Sequence, residues 1–541
     1  RTFSEENIEY FKFMLEKENW INVISKTDVD GKSLEFINIV THYFNIAFPI
    51  KKVIMSNIHN KSSKWITKGI ITSCKTKRQL YKRCQTSNDA NLKLYYKTYS
   101  NILRKVIFEA KSKSNMNFIK NAKNKGKAIW DVVKRETGKK PGNENKNIEL
   151  LNNGQIIKNS YDVAEMFNTY FINVISTGTP QTLSQQSTFN QTKNNNTIFL
   201  TPVTTEELLK VMKSLKNSLA CGIDEIPDII IKRCATLLVV PLVDICNSSL
   251  ITGKFPENLK VAKVCPIFKK GEKLCIENYR PISLLSVFSK ILEKIMYTRL
   301  VSFLEHNDVF CSSQFGFRKG RGINNAILTF TESILTAKDN KEQVVGLFLD
   351  LSKAFDMVNH DILLRKLENF GIRGLAGKWF TSYLTDRKQL VQIESVKSNM
   401  THVKHGVPQG SILGPVLFLL YINDLPLNIP QAKAVLFADD TNILFNEYRK
   451  SNLQLKINET SNKLEQWLTQ NKLKLNVNKT VYIDFSQKQV NDPVHITLNN
   501  TIIEEVNHTK FLGICIDSNL TWDSHIQCLT EKLSRLCYVF R

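Results

Sequence analysis

Long apolar runs are missing from this 541-residue sequence. The longest, such as PVLFLLYI from Pro415, falls well short of the roughly 20 residues a membrane-spanning helix needs, so no membrane partner is expected. A secretory signal is missing too. Paired cysteines are a third absence. The eleven cysteines are odd in number and include no CxxC pair, which argues against a disulfide framework and for reduced thiols in an intracellular protein. Zinc-finger spacing is a fourth, because His525 and Cys528 have no second ligand pair nearby. No internal repeat is present. The opening RTFSEENIEY lacks an initiator Met and the closing SRLCYVFR lies in an amphipathic helical pattern, so both ends are expected to be cut from a longer polyprotein or open reading frame.

Acidic residues are scarce in one place above all. The chain carries 74 Lys and Arg against 50 Asp and Glu, a net charge of +24. Residues 51–140 alone hold 24 basic and 4 acidic residues, which is +20 of that total. Such a footprint calls for a polyanion, and nucleic acid is the one expected. The basic residues are interleaved with Trp65, Tyr81, Tyr95, Tyr96, Tyr99, Phe108, Phe118 and Trp130 on helical periods, which suits a helical hairpin gripping phosphates with some stacking. The plainer reading is a basic helical surface with its aromatics packed inward. Apolar residues are nearly absent from GTPQTLSQQSTFNQTKNNNT, 178–197, a stretch that cannot bury a core and reads as a linker.

What is present elsewhere is ample for folding: 42% of residues are hydrophobic, enough for more than one domain. After the linker the texture is mixed α and β. Strands are expected at VVGLFLD, AVLF, NILF and VYIDF, with a long apolar helix after PQGS, giving an antiparallel sheet covered by helices on one face.

The stretch AVLFADDTNILF, 434–445, sets Asp439 and Asp440 between two strand-like runs and predicts a β-hairpin with carboxylates at its tip. Adjacent like charges repel unless something positive sits between them. Upstream, GLFLDLSKAFDMVNH ends an apolar strand in Asp350 and continues into a helical pattern. If that strand neighbours the hairpin, three carboxylates converge. Two Mg²⁺ ions roughly 3.5–4 Å apart, with Mn²⁺ as a substitute, would neutralise them, activate a 3′ hydroxyl and stabilise a leaving pyrophosphate.

FLDLSKAFDMVNH, GVPQGSILGPVLFLLYINDL, LFADDTNIL, LKLNVNKT and KFLGI stand in the order of the palm motifs of reverse transcriptases. From about Thr201 to Phe540 the chain resembles the reverse transcriptases of non-LTR retrotransposons of the jockey or CR1-like kind. The resemblance implies an α+β, right-hand polymerase of fingers, palm and the start of a thumb, with an antiparallel palm sheet, preceded by a basic, mainly helical N-terminal region. It makes Asp350 and Asp439 metal ligands, with Asp440 the second acid. Phe355 matches the bulky gate under the sugar of the incoming nucleotide, or is a plain core aromatic. Ala438, small and beside the metals, would let the primer end approach. Gln409 and Gly410 match the motif that meets nucleotide or template, though PQGS could be no more than a turn and helix cap. Lys269, with Lys270 as a neighbour, and Arg280 align with groups that bind the triphosphate. Lys479 occupies the position that protonates departing pyrophosphate. Arg318, Lys319 and Arg321 in QFGFRKGRG would hold template, and Lys510, Phe511, Leu512 and Gly513 match a hairpin that grips primer.

The same resemblance divides the chain into a basic helical region at 1–177 that follows a missing endonuclease, a linker at 178–200, an N-terminal extension at 201–260, the reverse transcriptase domain at 261–516 and a truncated thumb at 517–541. Its implied partners are the element's template RNA, primer DNA at a nicked chromosomal target, and deoxynucleotides. The competing reading is a catalytically inactive remnant retained for RNA binding.

Overall fold

The computed structural model describes residues 1–50, 65–122, 124–136, 148–173, 193–486 and 494–540. Most of the expected linker therefore lies outside the described residues. From Lys193 on the chain is anchored: the Asn194 N–H donates to the Asn369 carbonyl at 2.9 Å and that of Ile198 to Gly371 at 3.0 Å.

The chain forms two compact units, one of Arg1–Ile50 with Asn147–Cys528 and the other of Lys51–Lys146 with Leu529–Arg541. These divisions cut across the N-terminal block expected at 1–177. Helices Glu5–Glu16 and Val29–Ala47 belong to the larger unit because they are amphipathic toward its core. Phe11, Phe36 and Phe44 are buried in the same cluster as Leu208, Leu242 and Phe288, and Lys32 pairs with Asp244 at 2.6 Å. Helix Ser160–Asn173 likewise buries Val163 and Phe167 against Val264, Tyr279 and Val391.

In the smaller unit, helices Lys68–Thr86 and Ala90–Lys120 form a hairpin against which Lys125–Glu136 packs. Asp89 caps the second helix, accepting from the Asn91 N–H at 2.8 Å. Only Ile70, Ser100, Leu103 and Ala128 are buried among these helices. Inward packing accounts for only part of the aromatics: Trp65, Tyr96 and Tyr99 are half-buried, while Tyr81, Tyr95, Phe108, Phe118 and Trp130 stay exposed.

The palm sheet sits at the centre of the larger unit. Gln343–Leu349 is flanked by Val481–Asp484 and by Asp440–Glu447, which pairs in turn with Lys433–Phe437; all of these pairings are antiparallel. Glu504–Glu505 adds a parallel edge. The four expected strands are thus found within two residues of their ends. Alternation sends Val345, Leu347 and Leu349 to one face and Val344 and Phe348 to the other. Both faces are covered, where one was expected. Helix Ile323–Asp339 supplies Ala326, Phe330 and Ile334 to the second face, and Gly346 leaves room there, since a side chain would meet Phe485 at 2.8 Å. The fingers sheet orders Tyr279–Leu284, Val261–Phe268, Lys388–Ile393 and Val396–Lys397, with Thr401–His402 also paired to Lys388–Ile393.

Three further expectations need correction. The apolar helix after PQGS is short, Gly414–Ile422, and apolar all round because it is buried all round. Residues 352–357 after Asp350 form turns, and the helix begins only at His360. Among the described residues, one helix, Ala235–Thr252, is long and apolar enough to cross a membrane. Its apolarity serves the core, for it packs against Glu5–Glu16, Val29–Ala47, Thr205–Lys213 and Gly374–Leu384.

Under the palm, Lys366 donates to Asp424 at 2.8 Å and to the Tyr421 carbonyl at 2.6 Å. Trp467 donates to the same carboxylate at 3.2 Å. Lys366 and Asp424 are 0% and 1% exposed, so neither charge can turn to water. Asp424→Ala is therefore expected to destabilise the chain by about 3–5 kcal/mol in urea denaturation, and Lys366→Met combined with Asp424→Leu to cost less than that single change.

Candidate active site

The Asp439 hairpin is a two-residue turn between paired strands, with Phe437 opposite Asp440. Ala438 takes a left-handed φ of +55°, a conformation unfavourable for a residue with a side chain. It is held there from below. Gln314 is buried and its Oε1 accepts from the Ala438 N–H at 3.1 Å and from Gly316 at 2.8 Å. Gly316 lies so close that a side chain would meet the Ala438 nitrogen at 2.4 Å. The close approach of the two backbones requires glycine at 316, and Ala438 is buried.

Asp350 follows the central strand, and its backbone is tied to the 474–480 segment. Its carbonyl accepts from Asn476 at 2.8 Å, and Ser352 donates to the Lys474 carbonyl at 2.9 Å. That tie brings the Lys479 ammonium 3.5 Å from the Asp350 carboxylate. On the fingers, Arg280 lies opposite Ile267 in an antiparallel pair, and the Lys269 N–H donates to the Asn278 carbonyl at 2.8 Å. The strand pairing sets both cations on one end of the sheet.

Electrostatics ties these residues into one cluster. Crowding by protein atoms pushes Asp440 up to about 6 although its edge meets solvent, with Asp439 and Asp350 adding to the rise and Lys269 opposing it. Burial also raises Asp439, which Asp350 reinforces and Arg280 and Lys269 offset. Lys269 is lowered by partial burial and then by Arg280 and Lys479, with Asp350 pulling the other way. Negative and positive groups thus lie within electrostatic reach of each other, as a triphosphate site requires.

Among the described residues, no group of three or more His, Cys, Asp or Glu is close enough to enclose a metal ion. The expected convergence is therefore looser than a closed cage. The donor set still fits a hard cation, because Mg²⁺ takes one or two carboxylates together with phosphate oxygens of the substrate. Asp350 and Asp439 would hold it.

Several expected contacts are redirected within the chain. The Gly410 φ is +134° and a side chain there would meet the Ser283 carbonyl oxygen at 2.3 Å; this close approach joins the loop to the fingers strand. Gln409 donates to Asp356 at 2.8 Å. Phe355 is half-buried and stacks on Phe418 at 4.5 Å. Arg318 is committed to Glu305 at 2.9 Å and to the Cys311 carbonyl at 3.1 Å, while Lys319 is exposed and Arg321 donates to the Ser312 carbonyl. In the KFLGI hairpin, Lys510 and Gly513 are exposed and Leu512 is half-buried. Leu512 and Gly513 form its turn with φ of +47° and +96°. Phe511 is buried against Phe330 at 4.6 Å, which makes it the anchor of the hairpin.

Sequence reasoning missed Gln314 as a buttress, Asp356, and Glu293. Glu293 is fully buried and accepts from the Ile412 N–H at 2.7 Å and from Ser289 at 3.0 Å. It holds the loop that leads into the apolar helix from a distant element, so no local signal announces it.

A palm sheet with carboxylates on its central strand and hairpin, faced by a fingers sheet bearing cations, defines a template-directed nucleotide polymerase fold. Residues 267–516 match the family described as reverse transcriptase (RNA-dependent DNA polymerase). Over 62% of its length the chain is 33% identical to the probable RNA-directed DNA polymerase from transposon BS of Drosophila melanogaster, covering 38% of that protein. It is 26% identical over 98% of its length to the RNA-directed DNA polymerase from mobile element jockey of the same fly, and 24% identical over 95% to that of Drosophila funebris. The chain spans 60% and 57% of those two proteins. Residues 267–516 thus resemble a reverse transcriptase, a family that works with divalent metal ions, and the chain is similar to the RNA-directed DNA polymerases of these mobile elements.

The glycine geometry has a measurable consequence. Gly513, with open space around it, is expected to tolerate Ala at a cost of about 1–2 kcal/mol from its φ alone. Gly410→Ala should cost clearly more in the same urea titration, because the Ser283 backbone must also move.

Proposed function

We propose that the chain is an RNA-directed DNA polymerase that copies its element's RNA into DNA from a primer 3′ end at a nicked chromosomal target. The observation that carries this reading is the single electrostatic cluster of Asp350, Asp439 and Asp440 with Lys269, Arg280 and Lys479. In the reaction the primer 3′ oxygen attacks the α-phosphorus of a deoxynucleotide, an O–P bond forms, and the bond to pyrophosphate breaks. Lys269 and Arg280 hold the triphosphate, and Lys479 delivers a proton to the departing pyrophosphate. Asp350 and Asp439, with Asp440 beside them, would hold two Mg²⁺ ions, which supply Lewis-acid activation and neutralise charge. The exposed aromatics among the lysines of the 68–136 helices support a role for that unit in gripping nucleic acid through phosphates and stacking. Work at a chromosomal nick places the enzyme in the nucleus after its synthesis in the cytoplasm.

Primer extension on an RNA template with Mg²⁺ and deoxynucleotides tests the reading. Asp350→Asn and Asp439→Asn are each expected to lower extension by several orders of magnitude while leaving RNA binding intact. Wild-type-like extension by either variant would refute the assignment, and a wild-type chain that binds RNA without extending would be the inactive remnant.

Phe355 is proposed to exclude ribonucleotides by shape. Phe355→Val should keep most deoxynucleotide incorporation and accept ribonucleotides far more readily, read as the ratio of the two kcat/KM values. If both activities collapse together, the stack on Phe418 is the residue's whole role.

A further inference from the structure

Two stretches of the palm, 355–358 and 406–407, are stitched together. The Gly406 N–H donates to the Val358 carbonyl at 2.7 Å and the Val407 N–H to the Phe355 carbonyl at 3.0 Å. Gly406 fits because a side chain there would meet the Asp356 carbonyl oxygen at 2.8 Å. From the other side, the Ser283 N–H donates to the Gln409 carbonyl at 2.8 Å. The backbones of Asp356 and Gln409 are therefore both fixed, and the freedom left to Gln409 is that of its side chain.

An amide can present either its oxygen or its nitrogen, and a half-turn about its last bond exchanges them. A carboxylate removes that choice, because it only accepts hydrogen bonds. Gln409 gives its Nε2–H to the Asp356 carboxylate at 2.8 Å, so its oxygen must turn away from Asp356. We infer that Asp356 is a positioning residue that locks the Gln409 amide, so that Gln409 offers an acceptor to a hydrogen-bond donor on the bound nucleotide. This rests on the polymerase reading given above.

The surroundings keep Asp356 suited to the task. Burial pushes it up to about 6, and the hydrogen bond from Gln409 and the charge of Lys353 oppose that rise, which leaves it ionised at neutral pH. Lys353 donates to Tyr170 at 2.6 Å, so the cation is held near without displacing the amide. Asp356 and Gln409 share a cavity of about 920 Å³ with Arg387, His402, Lys404 and His405.

The test is a double-mutant cycle on primer extension at pH 7.5, varying the deoxynucleotide concentration. Asp356→Asn keeps the shape but lets its own amide donate or accept, so Gln409 can flip. KM is expected to rise about tenfold with kcat little changed. In a Gln409→Met background the same change should add almost nothing, because the group it acts through is gone. Gln409→Glu, which sets two carboxylates against each other, should raise KM more than Gln409→Met; this arm carries the test if Asp356→Asn fails to fold. A KM unchanged by Asp356→Asn, effects that add in full, or equal effects of Gln409→Glu and Gln409→Met would each overturn the inference while wild-type extension leaves the polymerase reading standing. No extension by the wild-type chain would overturn both.

Discussion

Asp350 stands near enough to raise the proton affinity of Asp439 and Asp440, and Asp439 adds to that of Asp440; a fold that keeps like charges together must be held by something other than those charges. Here backbone hydrogen bonds do the holding. The strand pairing between Gln343–Leu349 and Asp440–Glu447 sets Asp350 beside the hairpin, Gln314 and Gly316 support the turn from beneath, and the 474–480 segment ties down the end of the central strand. Lys269, Arg280 and Lys479 then partly offset the negative charge.

The buried polar groups extend the same logic away from the site. Glu293 holds the loop that leads into the apolar helix Gly414–Ile422, and the Lys366–Asp424 pair joins that helix's end to Trp467 of helix Lys450–Gln470. Each of these side chains would be costly to leave unpartnered in a dry core. They bind the elements into one arrangement, and the loop carrying Gln409 inherits its position from them.

Much of the palm was legible in advance. VVGLFLD, AVLF, NILF and VYIDF alternate or run apolar in the way half-buried and central strands must, and the turn formers Asp439, Asp440, Thr441 and Asn442 between apolar runs predict a hairpin, whose turn the strand pairing places at Ala438 and Asp439. The redirected residues were illegible for a shared reason. Arg318, Phe511, Gly410 and Gln409 all sit in motifs whose order signals nucleic-acid chemistry, yet their nearest partners, Glu305, Phe330, Ser283 and Asp356, come from other parts of the chain. A single sequence gives no sign of which polar group is already satisfied.

Composition and local pattern were enough to establish the basic unit, the strand set, the hairpin and the carboxylate pair, because each depends on residues within a few positions of one another. Long-range packing settled the rest: that Arg1–Ile50 joins the larger unit, that the second face of the sheet is covered by Ile323–Asp339, and that the Ala235–Thr252 helix is core. An apolar helix face or a free carboxylate states only that it needs a partner. Which partner it meets is a matter of where the chain brings distant segments together, and that depends on burial and hydrogen bonding summed over the whole fold.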